Sequence, residues 1–115
     1  MNKDDKILII GAGLCGSLLA LRLAQRGYKI ELFESRPDLR KVDISAGRSI
    51  NLALSDRGLK GLELCGVAEK AKSICIPMLG RQMHDVKGNT FDSKYSGREG
   101  EYINSISRGD LNAIL

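Results

Sequence analysis

Tryptophan is absent from this 115-residue chain, histidine occurs once, proline twice, and only 4% of the residues are aromatic. With so few rings, burial must rest on Leu, Ile, Val and Ala. The lone His84 and the three cysteines, Cys15, Cys65 and Cys75, show no CxxC spacing, so no zinc ligand set is expected and no metal is assigned. An odd cysteine count also excludes a fully paired disulfide framework, and a reducing, cytoplasmic compartment is the expectation. No apolar run approaches the ~20 residues that span a bilayer, and the apolar part of the start, Lys6 to Ile10, is too short for a signal peptide. Membrane contact is therefore not expected of this segment. Lys and Arg number 18 against 14 Asp and Glu, a net charge of +4, but they are scattered without a basic run, so no nucleic-acid partner is expected.

What is present is the composition of a globular chain, 43% apolar and 28% charged. The length suits one domain of about 100 to 150 residues. Lys6 to Ile10 is an aliphatic run ending at Gly11, the pattern of a parallel strand buried on both faces. Leu14 to Arg26 has helical spacing, with Arg22, Gln25 and Arg26 for the wet side and Gly27 for a left-handed terminus. Tyr28 to Glu34 gives a second strand. Ser35 to Gly47 turns polar and reads as a loop. The leucine spacing from Asn51 to Cys65 predicts a second helix, capped by Ser49 or Asn51, with a shorter one from Val67 to Ser73. Arg81 to Val86 and Thr90 to Tyr95, joined through Gly88, predict a hairpin. Tyr102 to Ser107 alternates as a strand, and Asp110 to Leu115 opens a helix.

The first chemistry-bearing motif is Gly11-Ala12-Gly13-Leu14-Cys15-Gly16, set between the first strand and the first helix. GxGxxG alone is a weak signal, but in this context it describes a dinucleotide-binding turn. Gly11 permits the turn, Gly13 lets the backbone approach a pyrophosphate, and Gly16 lets the helix pack closely. Free N–H groups and the helix dipole supply about 0.3 to 2 kcal/mol each for a nearby negative charge. Glu34, ending the second strand, stands where a carboxylate accepts hydrogen bonds from a ribose diol and repels a 2′-phosphate, which favours FAD or NAD at that site. Cys15 reads as a small residue near the phosphates rather than a redox thiol.

The second motif, Gly47-Arg48-Ser49-Ile50-Asn51-Leu52-Ala53-Leu54-Ser55-Asp56-Arg57-Gly58, has no part in generic dinucleotide binding. It resembles the GRSINLALS-x-RG stretch of the kynurenine 3-monooxygenases, FAD-carrying aromatic hydroxylases. The resemblance continues through Ile76-Pro77-Met78, Gly80-Arg81-Gln82-Met83-His84, Tyr95-Ser96-Gly97, Ser105-Ile106-Ser107-Arg108 and Leu111-Asn112. It implies an α/β, Rossmann-like FAD/NAD(P)-binding fold, partial, with a β-hairpin segment, residues 1–115 being the N-terminal part of the FAD-binding domain of a much longer enzyme.

Further implications follow residue by residue. FAD contacts would come from Gly11, Gly13, Cys15 and Gly16, from Phe33, Glu34, Ser35 and Arg36 at the adenosine end, from Ala53 on the second helix, and from Arg108. Arg81 and Tyr95 would hold the substrate carboxylate, the guanidinium through two parallel hydrogen bonds and the phenol through a third. The implied reaction consumes NADPH and O2 and hydroxylates L-kynurenine to 3-hydroxykynurenine, a step of tryptophan catabolism and NAD biosynthesis. No side chain in this stretch is assigned a catalytic role, and His84 reads as structural. The isolated stretch is expected to bind FAD weakly or not at all and to lack hydroxylase activity. The alternative is an NAD-dependent dehydrogenase or a dinucleotide-binding module without oxygen chemistry, which has no reason to keep the second motif together with Arg81 and Tyr95.

Overall fold

The computed structural model describes residues 2–38, 40–42 and 50–115. Gly47, Arg48 and Ser49, which open the second motif, lie outside the described residues, as does most of the second half of the expected 35–47 loop.

Strand β1 (Lys6–Ile10), helix α1 (Leu14–Gln25) and strand β2 (Lys29–Phe33) form a parallel strand–helix–strand unit, with Lys6 opposite Lys29 and Ile10 opposite Phe33. This is the crossover that the aliphatic run, the leucine-rich helix and Gly27 predict. Gly27 takes φ +85, its N–H reaching Ala24 O at 2.9 Å while Tyr28 N–H reaches Leu23 O at 3.1 Å, so the last carbonyls of α1 are satisfied. The expectation of burial on both faces of β1 is not met. Ile9 is covered, whereas Ile10 is 90% exposed and Leu8 is also open, because among the described residues only the α1 side of this pair is packed.

The remaining strands are antiparallel. Strand β3 (Asn51–Leu54) and strand β4 (Ile76–Met78) flank strand β7 (Ile103–Ser107), with Leu52 opposite Ile106 and Pro77 opposite Asn104. Strands β5 (Gly80–His84) and β6 (Thr90–Lys94) form a separate hairpin. Its turn is organised by Asp85, whose carboxylate accepts from Lys87 N at 2.8 Å, Asn89 N at 2.9 Å and Asn89 Nδ2 at 2.7 Å. Those bonds, from Asn89 first, hold the Asp85 carboxyl below its ordinary range.

The predicted Asn51–Cys65 helix is corrected to β3 followed by a shorter helix, α2 (Asp56–Leu64), with Ser55 as its N-cap in place of Ser49 or Asn51. Exposed and covered residues alternate from Asn51 to Leu54, and β7 supplies partners for that backbone, so the tertiary pairing overrides the helical leucine spacing. Helix α3 (Ala68–Lys72) follows, and helix α4 (Arg108–Ile114) begins two residues earlier than predicted because the Ser107 hydroxyl caps it, accepting from Asp110 N at 3.3 Å.

The core lies where α2, α3 and α4 meet β3 and β7: Leu54, Leu62, Ala68, Ala71, Ile106 and Leu111 are buried together, with Leu14 and Leu18 of α1 packed against them. Two side chains expected on the wet side of α1 instead join it to α2. Arg22 Nη1 donates to Leu64 O at 2.7 Å and Gln25 Nε2 to Cys65 O at 2.8 Å, closing carbonyls that the end of α2 leaves free. Ile106, at 2% exposure, occupies the middle strand of this sheet. Truncation by Ile106→Ala is expected to cost about 2 to 5 kcal/mol. Urea unfolding of the chain measures this directly, and a loss below about 1 kcal/mol would contradict the placement of the core.

Candidate functional site

The loop between β1 and α1 owes its shape to a missing side chain. A Cβ on Gly16 would stand 1.9 Å from the Gly11 carbonyl oxygen and 3.6 Å from Ile9 Cγ2, so only glycine lets the first turn of α1 lie against the end of β1. Gly11 itself adopts φ +100, and its N–H donates to Phe33 O at 2.7 Å, extending the parallel pairing into the loop. Gly13 is the N-cap of α1 and offers no side chain to its first amides; no acid lies in the first turn. A Cβ built on Gly13 meets nothing within 4 Å, so the backbone is open to a ligand there. Cys15 is exposed on the first turn.

These features fit a dinucleotide diphosphate. The unpaired amides at the start of a 12-residue helix present donors and the positive end of the dipole to an anion. The open side of Gly13 supplies the close backbone approach.

Glu34 continues from β2 to face this loop. One carboxylate oxygen accepts from Ala12 N at 2.8 Å and Arg36 Nη2 at 2.9 Å, the other from Arg36 N at 2.8 Å and Arg36 Nε at 2.9 Å. The Arg36 side chain, then the amides of Arg36 and Ala12, hold the Glu34 carboxyl well below the usual carboxylate range. All four acceptor positions of the carboxylate are thus engaged within the chain. Ser35 is exposed between the pair, and Phe33 is partly exposed beside the loop. Asp38 repeats the pattern with Arg40, whose side chain holds its carboxyl below the ordinary range. Together with α1 and α4 this segment walls an open cleft of about 550 Å³, polar at Ala12, Glu34, Arg36 and Asn112 and apolar at Leu32 and Leu115.

Ala53 lies on β3, not on the second helix as expected, because that stretch is a strand. It pairs with Ser105 and is exposed. Arg108 opens α4, its N–H donating to Ile50 O at 3.1 Å, and stands one helical turn before Asn112 on the same side. Asn112 reaches the glycine loop: its Nδ2 lies 3.0 Å from Ala12 O. Sequence reasoning gave it no role, although an asparagine inside a short helix is a poor helix former and a signal in itself.

Arg81 and Tyr95 come together. The Arg81 guanidinium lies 5.5 Å from the centroid of the Tyr95 ring, within cation–π range. Alternation along the hairpin puts Arg81, Met83 and Leu79 on one face with Phe91, Ser93 and Tyr95, while Gln82, His84, Asp92 and Lys94 take the other. Leu79 is 67% and Phe91 57% exposed, so one guanidinium is set in an open apolar surface. His84 is exposed at the end of β5, and its side chain makes no hydrogen bond among the described residues. Among those residues no hydrogen bond or ion pair joins this face to the glycine loop, no group of His, Cys, Asp and Glu is placed to hold a metal ion, and no helix is long and apolar enough to cross a membrane.

Comparison with known proteins matches residues 9–41 to the NAD(P)-binding Rossmann-like domain, the stretch that contains β1's end, the glycine loop, α1 and β2. Kynurenine 3-monooxygenase of Legionella pneumophila (strain Corby) is 50% identical over 109 residues, 95% of this chain and 24% of the relative. The enzymes of the same name from Myxococcus xanthus and Drosophila melanogaster are 45% and 43% identical over 98% and 99% of the chain. In each case the chain spans about a quarter of the relative's length, 24%. Over these residues, with their Rossmann-like strand–helix–strand unit and antiparallel hairpin, the chain is similar to the kynurenine 3-monooxygenases at 43 to 50% identity.

Proposed function

We propose that these residues form part of the FAD-binding domain of an NADPH-consuming monooxygenase that hydroxylates L-kynurenine to 3-hydroxykynurenine with O2, within tryptophan catabolism and in the cytoplasm. The observation that carries the substrate side is the hairpin face on which Arg81 and Tyr95 lie together within an apolar surface. An aromatic amino acid has the matching chemistry, a carboxylate for the guanidinium and a ring for Leu79, Met83 and Phe91. The free cysteines suit a reducing compartment.

In this reading the amides of Gly13, Leu14 and Cys15 bind the FAD diphosphate, with Gly11 and Gly16 shaping the loop. Glu34 takes the adenosine ribose in place of part of the Arg36 fork, with Phe33, Ser35 and Arg36 around it, and Ala53 and Arg108 contribute from β3 and α4. Bound FAD supplies the electron transfer and oxygen chemistry, while the chain supplies position and exclusion of water. Arg81 holds the substrate carboxylate by two parallel hydrogen bonds and Tyr95 donates a third, fixing the ring without any proton transfer from either side chain. A nicotinamide dinucleotide on the same loop, as in a dehydrogenase, is the second reading, favoured by the description of the family matched at residues 9–41. It leaves the paired Arg81 and Tyr95 without a task.

The test is made on the full-length protein. It is expected to purify with the absorbance of bound flavin and to oxidise NADPH faster when L-kynurenine is added. Protein that remains indifferent to kynurenine after reconstitution with FAD would overturn the proposal. Arg81→Lys, which keeps the charge and loses the fork, is expected to lower kcat/KM for kynurenine about 10- to 100-fold, mainly through KM, as loss of a charge-assisted pair worth ~1.5 to 3 kcal/mol requires. An unchanged KM would remove Arg81 from the substrate site.

Glu34 also makes folding pH-dependent. Because its carboxyl titrates lower in the folded chain than in the unfolded one, its contribution is complete above the unfolded value of about 4.3 and is lost as pH falls below that toward the folded value. The gap in urea midpoint between the chain and its Glu34→Gln variant should therefore shrink between pH ~7 and pH ~3. A gap independent of pH would show that the Arg36 and Ala12 bonds do not favour the ionised form.

A further inference from the structure

The Ala12 carbonyl is held from two directions. Ser17, 7% exposed on α1, donates its hydroxyl at 3.1 Å, and Asn112 of α4, 100 residues away in sequence, places Nδ2 at 3.0 Å. Asn112 Nδ2 also lies 3.5 Å from Ser17 Oγ. The Ala12 oxygen can only accept, so it is the amide nitrogen of Asn112 that must face it. On the other side of the same residue, Ala12 N–H is fixed by Glu34.

A peptide group is planar and trans, so its carbonyl and the following N–H point in opposite directions. Drawing the Ala12 oxygen toward Ser17 and Asn112 turns the Gly13 N–H the other way. Gly13 N–H has no acceptor among the described residues, and it belongs to the glycine beside which the backbone is open. If this peptide turned over, a carbonyl oxygen would replace the N–H at the place where an anion is to be received. Neither Ser17 nor Asn112 needs to touch a ligand for this effect.

We infer that Asn112 is a positioning residue for dinucleotide binding: with Ser17, it locks the Ala12–Gly13 peptide with its N–H directed to the diphosphate. This rests on the reading of the glycine loop as a dinucleotide site. It also gives α4 a task beyond covering the core, since the helix that buries Leu111 presents its next residue to the loop.

The experiment compares the full-length protein with Asn112→Asp and Ser17→Ala, measuring the binding of FAD, ADP and adenosine. Asn112→Asp keeps the size of the side chain but replaces its donor by an acceptor facing the Ala12 oxygen and adds a charge that itself repels a diphosphate. Ser17→Ala removes one hydroxyl and adds no charge, so a selective loss in Ser17→Ala is the deciding result. Affinity for FAD and ADP, which carry the diphosphate, is expected to fall about 10-fold or more in Asn112→Asp and by a smaller factor in Ser17→Ala, with adenosine affinity unchanged. Equal losses for all three ligands would show a merely structural contact and overturn the inference, as would no loss for any. Should Asn112→Asp fail to fold, Ser17→Ala alone decides by the same ADP-to-adenosine comparison. Unaltered protein that binds neither FAD nor ADP would overturn the underlying dinucleotide reading, whereas unaltered protein that binds both, with variants that match it, would overturn only the role of Asn112.

Discussion

The approach of α1 to the end of β1 is the constraint on which the rest of the structure depends. It exists because Gly16 has no Cβ: one would stand 1.9 Å from the Gly11 oxygen. With the helix seated there, Leu14 and Leu18 reach the buried cluster of α2, α3 and α4, and Arg22 and Gln25 reach the carbonyls that end α2. The same contact sets the direction in which the first amides of α1 emerge. Packing and anion recognition therefore draw on one geometric fact. A methyl group at this position would disturb both.

Around that contact the loop is tied at successive backbone groups. Gly11 N–H meets the Phe33 carbonyl, Ala12 N–H meets Glu34, and the Ala12 oxygen meets Ser17 and Asn112. The partners come from the second strand, the first helix and the last helix. A loop that must offer unpaired donors to a ligand is thus held by its other polar groups. The Glu34–Arg36 fork adds a charge balance next to it, with the Arg36 side chain exposed and that of Glu34 largely covered.

Much of this was legible in the sequence where the signal was local. The strand–helix–strand unit announced itself through an aliphatic run, a leucine spacing and two glycines, all within residues 6–33. The hairpin followed from alternation around Gly88, and its register is what sets Arg81 and Tyr95 on one face. What escaped depended on distant partners. Leu52, read on to Leu59 and Leu62, has a spacing that also fits a helix, and only β7, about 50 residues later, makes Asn51–Leu54 a strand. β4 has three residues including Pro77, too short for any periodicity to register. Asn112 belongs to the Leu111-Asn112 pair of the family resemblance, but the partner that gives it a role is a carbonyl at the opposite end of the chain.

Among the described residues the hairpin's strands bond to one another and to no third strand, and nearly all of their residues are exposed. The buried cluster lies elsewhere, under β3 and β7. Apart from Gly80, where a Cβ would stand 2.5 Å from the Ser93 oxygen, side chains on this ribbon can change in size, charge or shape without opening a void in the buried cluster. Selection acting there meets almost no folding penalty, while selection acting on the glycine loop meets a steep one. The interior thus constrains the glycine loop directly, while the hairpin answers to what its own face meets, and both kinds of surface stand on one short scaffold.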